Sequence, residues 1–174
     1  MIMFVFGKNE FGDMPSMPIR KYILNLKNDL SELDRLHPFL QEIGQRIGVT
    51  KRCLFEANLT LEEVFTNIVS YGYDDHEEHQ IKITVTTAKD RFTICVEDDG
   101  RPFNPLKARQ PDLPDDIEGC KPGGLGIHLI RHFMDEIRYK RYQDRNVLTM
   151  KKTCGYPNRA NRYEDSSADG SRLS

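Results

Sequence analysis

The sequence predicts an α+β fold, a two-layer α/β sandwich in which one mixed sheet carries helices packed on one face. Three observations predict it. Apolar residues alternate with polar ones over 20–26, 81–85 and 92–96, the period of a half-buried strand. Apolar residues recur at helical spacing over 30–47 and again over 51–68. The order is strand, helix, helix, two strands, long loop, helix, two strands, in a chain of 174 residues, which holds one core of ordinary size. The expected organisation is a flexible segment at 1–19, a folded domain at 20–153 and a disordered tail at 154–174.

Each element has its own signal. In the first strand Tyr22, Leu24 and Leu26 share one side. Asp29 followed by Glu32 resembles a capping box, and Leu30, Leu33, Leu36, Leu40, Ile43 and Ile47 carry a helix to Gly48 with a kink expected at Pro38. From Lys51 the period runs on through Leu54, Ala57, Leu61, Val64 and Ile68 to a turn at Gly72. Ile81, Ile83 and Val85, then Phe92, Ile94 and Val96, read as a hairpin joined near Lys89 and Asp90. Residues 100–126 hold five of the nine prolines and five of the twelve glycines, too broken for helix or ladder, so a functional loop is expected there. A third helix over Ile127–Glu136 and a last hairpin, Ile137–Tyr142 with Val147–Lys151, complete the domain. Beyond Cys154 the residues are mostly Asn, Arg, Ser, Asp and Gly, with little to bury.

Composition narrows the function. With 25 Lys plus Arg against 27 Asp plus Glu, no overall positive field exists to attract nucleic acid or an anionic membrane. Cys53, Cys95, Cys120 and Cys154 are far apart with no C-x-x-C pair, which suits a reducing compartment, and Cys53 and Cys95 read as small buried hydrophobes. The apolar run Met1–Phe6 is shorter than a signal core, which needs about 7–15 residues. A soluble cytoplasmic protein is the expectation.

Three features could carry chemistry. Glu63 and Asn67 stand four apart, so an acid and an amide project from one helical face. Glu97, Asp98 and Asp99 end a strand and Gly100 turns the chain, which sets a carboxylate where a ligand amine could meet it. Pro122-Gly123-Gly124-Leu125-Gly126 runs directly into a helix, and bare N–H groups at a helix start attract anions. No Gly-Lys-Ser or Gly-Lys-Thr follows, so this is no Walker loop, and it follows a long loop where a Rossmann fingerprint follows a first strand. His76-Glu77-Glu78-His79 falls in a polar connection and reads as solvated loop; His128 and His132 lack a third ligand at metal-site spacing.

In combination, Glu63-Val64-Phe65-Thr66-Asn67, Asp98-Asp99-Gly100-Arg101-Pro102-Phe103 and Gly123-Gly124-Leu125-Gly126-Ile127-His128 resemble the GHKL superfamily, the ATP-binding fold of histidine kinases, gyrase and Hsp90, and within it the bacterial anti-sigma factor serine/threonine kinases. The likeness covers residues 20–153. It implies ATP and Mg2+ as cofactors, Asn67 as the metal ligand and Glu63 as the base toward the acceptor hydroxyl. It also implies Asp98 on the adenine amine, Gly100 beneath the base, Gly124, Leu125 and Gly126 around the phosphates, Thr149 in support of the adenine site, and residues 101–122 as a lid. The partners it implies are a sigma factor and a STAS-domain antagonist, with a homodimer possible. A non-catalytic module that sequesters a transcription regulator is the alternative that stays open.

Overall fold

The computed structural model describes residues 19–88, 91–107 and 124–154. Among them, β1 (Arg20–Lys27), β2 (Gln80–Ala88), β3 (Arg91–Asp98), β4 (Glu136–Tyr142) and β5 (Arg145–Thr153) form one sheet in the order β1-β2-β3-β5-β4. Helices α1 (Leu33–Ile47), α2 (Lys51–Tyr71) and α3 (Gly124–Phe133) accompany it, so the expected α+β sandwich is present. One detail differs from expectation: all four neighbouring pairs are antiparallel. β3 and β4 do run the same way, but β5 lies between them, so the β3-α3-β4 crossover creates no parallel ladder.

Local chemistry sets the helix ends. The Asp29 carboxylate accepts from the Ser31 N–H at 2.8 Å and opens a short 3-10 turn, Leu30–Glu32, ahead of α1. Gly48 ends α1 at φ 69°, a left-handed conformation that favours glycine, and its N–H donates to Gly44 O at 2.9 Å. Pro38 lies within α1 and does not end it. Thr50 Oγ1 accepts from Cys53 N at 3.2 Å, and α2 then runs unbroken for 21 residues. The third helix lies three residues earlier than expected at both ends. At its far end Asp135 N donates to Lys151 O at 2.9 Å, so the chain has already joined the sheet.

The core follows from the alternation. Leu26, Ile81, Ile83, Val85, Phe92, Ile94, Val96, Leu148 and Met150 point from the sheet into one layer, against Leu36, Leu40 and Ile43 of α1 and Leu54, Ala57, Leu61, Val64 and Phe65 of α2. Each of the Val, Leu, Ile, Phe and Met side chains among them stabilises the fold by about 1.5–3 kcal/mol relative to exposure. The last polar steps on this face are Glu56 and Lys152, each 8% exposed, whose charged groups meet at 2.5 Å; Lys152 Nζ also donates to Phe133 O at 2.7 Å.

The cysteines depart from expectation. Cys53, in the first turn of α2, and Cys154, just past β5, form a disulfide with Cα atoms 5.7 Å apart across 101 residues. Cys53 is therefore a cross-linked half-cystine. The pairing was invisible in the sequence because the two residues meet only when β5 packs beneath α2. Cys154, which opens the segment expected to be disordered, is buried. Cys95 is the free cysteine among the described residues. Also among the described residues, no helix is long and apolar enough to cross a membrane.

Candidate functional site

A cavity of about 510 Å³ opens between the C-terminal half of α2, the ends of β3 and β5, and α3. Its size is that of a small-molecule site. Val64, Asn67, Ile68 and Tyr71 line it from α2, Ile127 and Ile130 from α3, and Asp98, Asn146 and Leu148 from the sheet. Tyr139 of β4 and the segment Arg101–Phe103 with Pro105 close the rest. The walls are largely apolar with few polar groups, which suits a flat heterocycle held in place by one or two hydrogen bonds.

Asp98 is the buried polar centre of this cavity, 4% exposed. Its Oδ1 accepts from Asn146 Nδ2 at 2.7 Å and from Gly100 N at 2.9 Å. Among the described residues no donor reaches Oδ2, so the carboxylate keeps one acceptor for a ligand. Burial pushes the Asp98 carboxyl up from its ordinary pKa, while the bonds from Asn146 and Gly100 oppose that shift.

The turn after Asp98 is held against the end of α2. Arg101 N donates to Gly72 O at 2.7 Å, and the Arg101 guanidinium donates to Tyr71 O at 2.6 Å and pairs with Asp74 at 2.8 Å. Gly100 is needed for this approach, since a Cβ there would lie 2.6 Å from Gly72 O. Arg131 of α3 donates to Leu106 O at 2.8 Å and ties the described start of the long loop to α3. Residues 108–122 of the expected lid lie outside the described residues.

Several expected site residues converge here. Asn67 and Asp98 line the cavity, Gly100 holds Asp98 through its N–H, and Gly124, Leu125 and Gly126 form the first turn of α3, the helix whose Ile127 and Ile130 line the wall. Glu63 lies one helical turn from Asn67 but is not among the described residues lining the cavity. The neighbouring Glu62 is engaged by His37 at 3.1 Å.

Thr149 is a correction. Strand alternation puts Asn146, Leu148, Met150 and Lys152 on the inward face of β5 and Thr149 on the opposite one, where its hydroxyl faces Cys95 Sγ at 3.8 Å. The support for Asp98 comes instead from Asn146, which the sequence reading missed. Asn146 Nδ2 also reaches Arg101 O at 2.9 Å, and its Oδ1 accepts from Tyr139 OH at 2.8 Å and Arg141 Nη1 at 3.0 Å. Arg141 Nη1 further donates to Gly100 O at 2.7 Å. The available signal was an amide at the head of an inward run that otherwise reads Leu148, Met150.

An antiparallel sheet backed by helices, with a buried aspartate at the end of β3 on a cavity that α2 and α3 also line, defines an α/β sandwich with a small-molecule-sized site at one end of its sheet. The comparison with known families agrees: the histidine kinase-like ATPase domain matches residues 26–152, and the chain belongs to that family. It is similar to the serine/threonine-protein kinase BtrW of Bordetella bronchiseptica, 30% identical over 112 residues that cover 64% of this chain and 79% of that protein. It is also similar to the serine-protein kinases RsbW of Listeria monocytogenes and Bacillus subtilis. The first is 28% identical over 128 residues, 71% of this chain and 79% of that one. The second is 26% identical over 117 residues, 64% and 72%.

Proposed function

We propose that the protein is an ATP-dependent serine/threonine protein kinase acting as an anti-sigma factor. It would bind Mg-ATP, sequester a sigma factor and phosphorylate a serine of a STAS-domain antagonist, with residues 20–153 as the working unit. The observation that carries this reading is the buried Asp98 carboxylate, whose Oδ1 is held by Asn146 and Gly100 and whose Oδ2 meets no donor among the described residues, on the wall of a cavity shared with Asn67. The kinase names of its relatives support the reaction type.

Asp98 Oδ2 accepts a hydrogen bond from the adenine amine, and Gly100 leaves room for the base. The first-turn N–H groups of Gly124, Leu125 and Gly126 have no partner within α3 and bind phosphate oxygens. The Asn67 amide oxygen is the protein ligand for Mg2+. A single amide oxygen suits a hard cation such as magnesium, which keeps most of its ligands as phosphate oxygens and water. Bound Mg-ATP supplies the transferable phosphoryl group and neutralises its charge. Glu63 takes the proton from the acceptor serine hydroxyl. The phosphate so added carries about −1.5 to −2 charges and disfavours a tight interface, which is how the antagonist would be released.

The test is purified protein with Mg-ATP and its cognate antagonist. Phosphoserine on the antagonist is expected, lost in Glu63→Ala while Mg-ADP still binds by calorimetry, and Asp98→Asn should abolish that binding. An antagonist left unmodified by a wild-type protein that binds Mg-ADP would overturn the kinase reading. The position of Glu63 off the described cavity wall favours a second reading, a non-catalytic module that sequesters its regulator. In that case Glu63→Ala leaves regulation intact.

A further inference from the structure

We propose that His79 is a positioning residue for the nucleotide-binding turn: as a doubly protonated imidazolium it ties Asp75, in the α2–β2 connection, to Asp99, the neighbour of Asp98. The inference rests on the nucleotide reading of the cavity. His79 Nε2 lies 2.9 Å from Asp75 Oδ1 and Nδ1 lies 3.1 Å from Asp99 Oδ1. Carboxylate oxygens only accept, and a neutral imidazole has a single N–H, so both contacts are hydrogen bonds only when both ring nitrogens carry protons. The ring is braced on Tyr73, with centroids 4.2 Å apart and planes at 19°. The backbone beneath it is anchored to the end of β1, because His79 N donates to Asn28 Oδ1 at 2.9 Å and Asn28 N to His79 O at 3.1 Å.

The charges around the ring are negative on two sides. Asp75 and Asp99 face it, Asp98 lies beyond Asp99, and His76 follows Asp75 on the same connection. The phenol of Tyr73 is buried with no hydrogen-bond partner among the described residues, and burial followed by Asp98 and Asp99 holds it protonated, with Arg145 opposing. Lys27, on the β1 side, is engaged by Glu78 at 2.6 Å. The protonated His79 is thus the cation that offsets Asp75 and Asp99. Arg101 fixes one flank of the turn to Tyr71, Gly72 and Asp74; His79 fixes the other. The Asp75 hydrogen bond, ahead of the other causes, raises the imidazole pKa from its ordinary value. The clamp is complete below about pH 6.5 and opens as pH rises through the folded value.

The experiment uses the full chain with three readouts. The first is the imidazole titration of His79 by NMR, the second amide exchange at Gly100 in the free protein, and the third calorimetry with Mg-ADP at pH 6 and pH 8. We expect His79 to titrate above about 6.5 and Mg-ADP to bind roughly fivefold more weakly at pH 8, the scale of one partly exposed charged pair. His79→Gln should bind weakly at both values with faster Gly100 exchange; whatever pH dependence it keeps belongs to the ligand phosphate, which titrates near about pH 6. His79→Arg, a permanent cation, should keep tight binding at pH 8. Equal Mg-ADP affinity and equal Gly100 exchange in wild type and His79→Gln would overturn the positioning role. Absence of Mg-ADP binding in wild type at both pH values would instead defeat the nucleotide reading, and Gly100 exchange would still decide whether His79 holds the turn.

Discussion

The two ends of α2 are fastened by opposite means. At the first turns a disulfide and the Glu56–Lys152 ion pair, both buried, bind the helix to the end of β5. At the last turn the helix meets the Asp98 turn through backbone carbonyls and partly exposed groups, Arg101 to Tyr71, Gly72 and Asp74. At the buried end the Glu56 carboxylate has both oxygens engaged, by Arg52 and Lys152. At the open end, no donor among the described residues reaches the second oxygen of Asp98. A helix held hard at one end can present side chains at the other with little loss of position, and that is the condition a binding site needs.

The largest effect should come from breaking the buried end. Lys152→Ala leaves the Glu56 carboxylate in place with only the exposed Arg52 as partner, and should cost about 3–5 kcal/mol in denaturant unfolding. Glu56→Leu combined with Lys152→Met should recover most of it. Burial alone would raise the Glu56 pKa, but the hydrogen bonds from Arg52 and Lys152 outweigh it and hold the group below its ordinary value. A lowered folded pKa means stability that is present above the unfolded value of about 4.3 and is lost as pH falls through the folded one. Melting followed from pH 6 to pH 2 should show that loss, and Glu56→Gln should flatten it.

Next in size is the covalent link. Cys53→Ser should lower stability by about 2–4 kcal/mol without reductant, and the difference should vanish when the wild type is reduced. At the open end, Gly100→Ala sets a methyl against Gly72 O, a backbone atom with little freedom to yield. It should cost about 1–3 kcal/mol and weaken Mg-ADP binding in calorimetry, since the turn must move. Asn146→Ala removes one of two donors to Asp98 Oδ1 and should cost about 1–2 kcal/mol, with a loss of Mg-ADP affinity larger than its loss of stability. If the Asn146 variant weakened stability alone, the distinction between a structural end and a site end would fail.

Much of this was legible in the residues. The alternation of Ile81, Ile83 and Val85 and of Phe92, Ile94 and Val96 is the inward face observed, because a strand's period of two leaves no other way to bury them. Asn67, Asp98 and Gly100 carried their signal in spacing and position. Asn146 did not, because its meaning comes from Asp98, Gly100, Tyr139 and Arg141, which lie between 5 and 48 residues from it in the chain and are gathered by strand pairing. Thr149 differs: the alternation with Leu148 and Met150 already puts it on the outward face of β5, and only the family likeness suggested it for the adenine site.

The sequence by itself determined the elements, their order and the inward faces, since periodicity and turn chemistry are local properties of the chain. Only the tertiary structure decided which acid is buried at the cavity wall, which amide supports it, and that Cys53 meets Cys154. Those outcomes depend on distances between residues remote in the chain, and such distances exist only after β5 has inserted beside β3 and α2 has packed across the sheet.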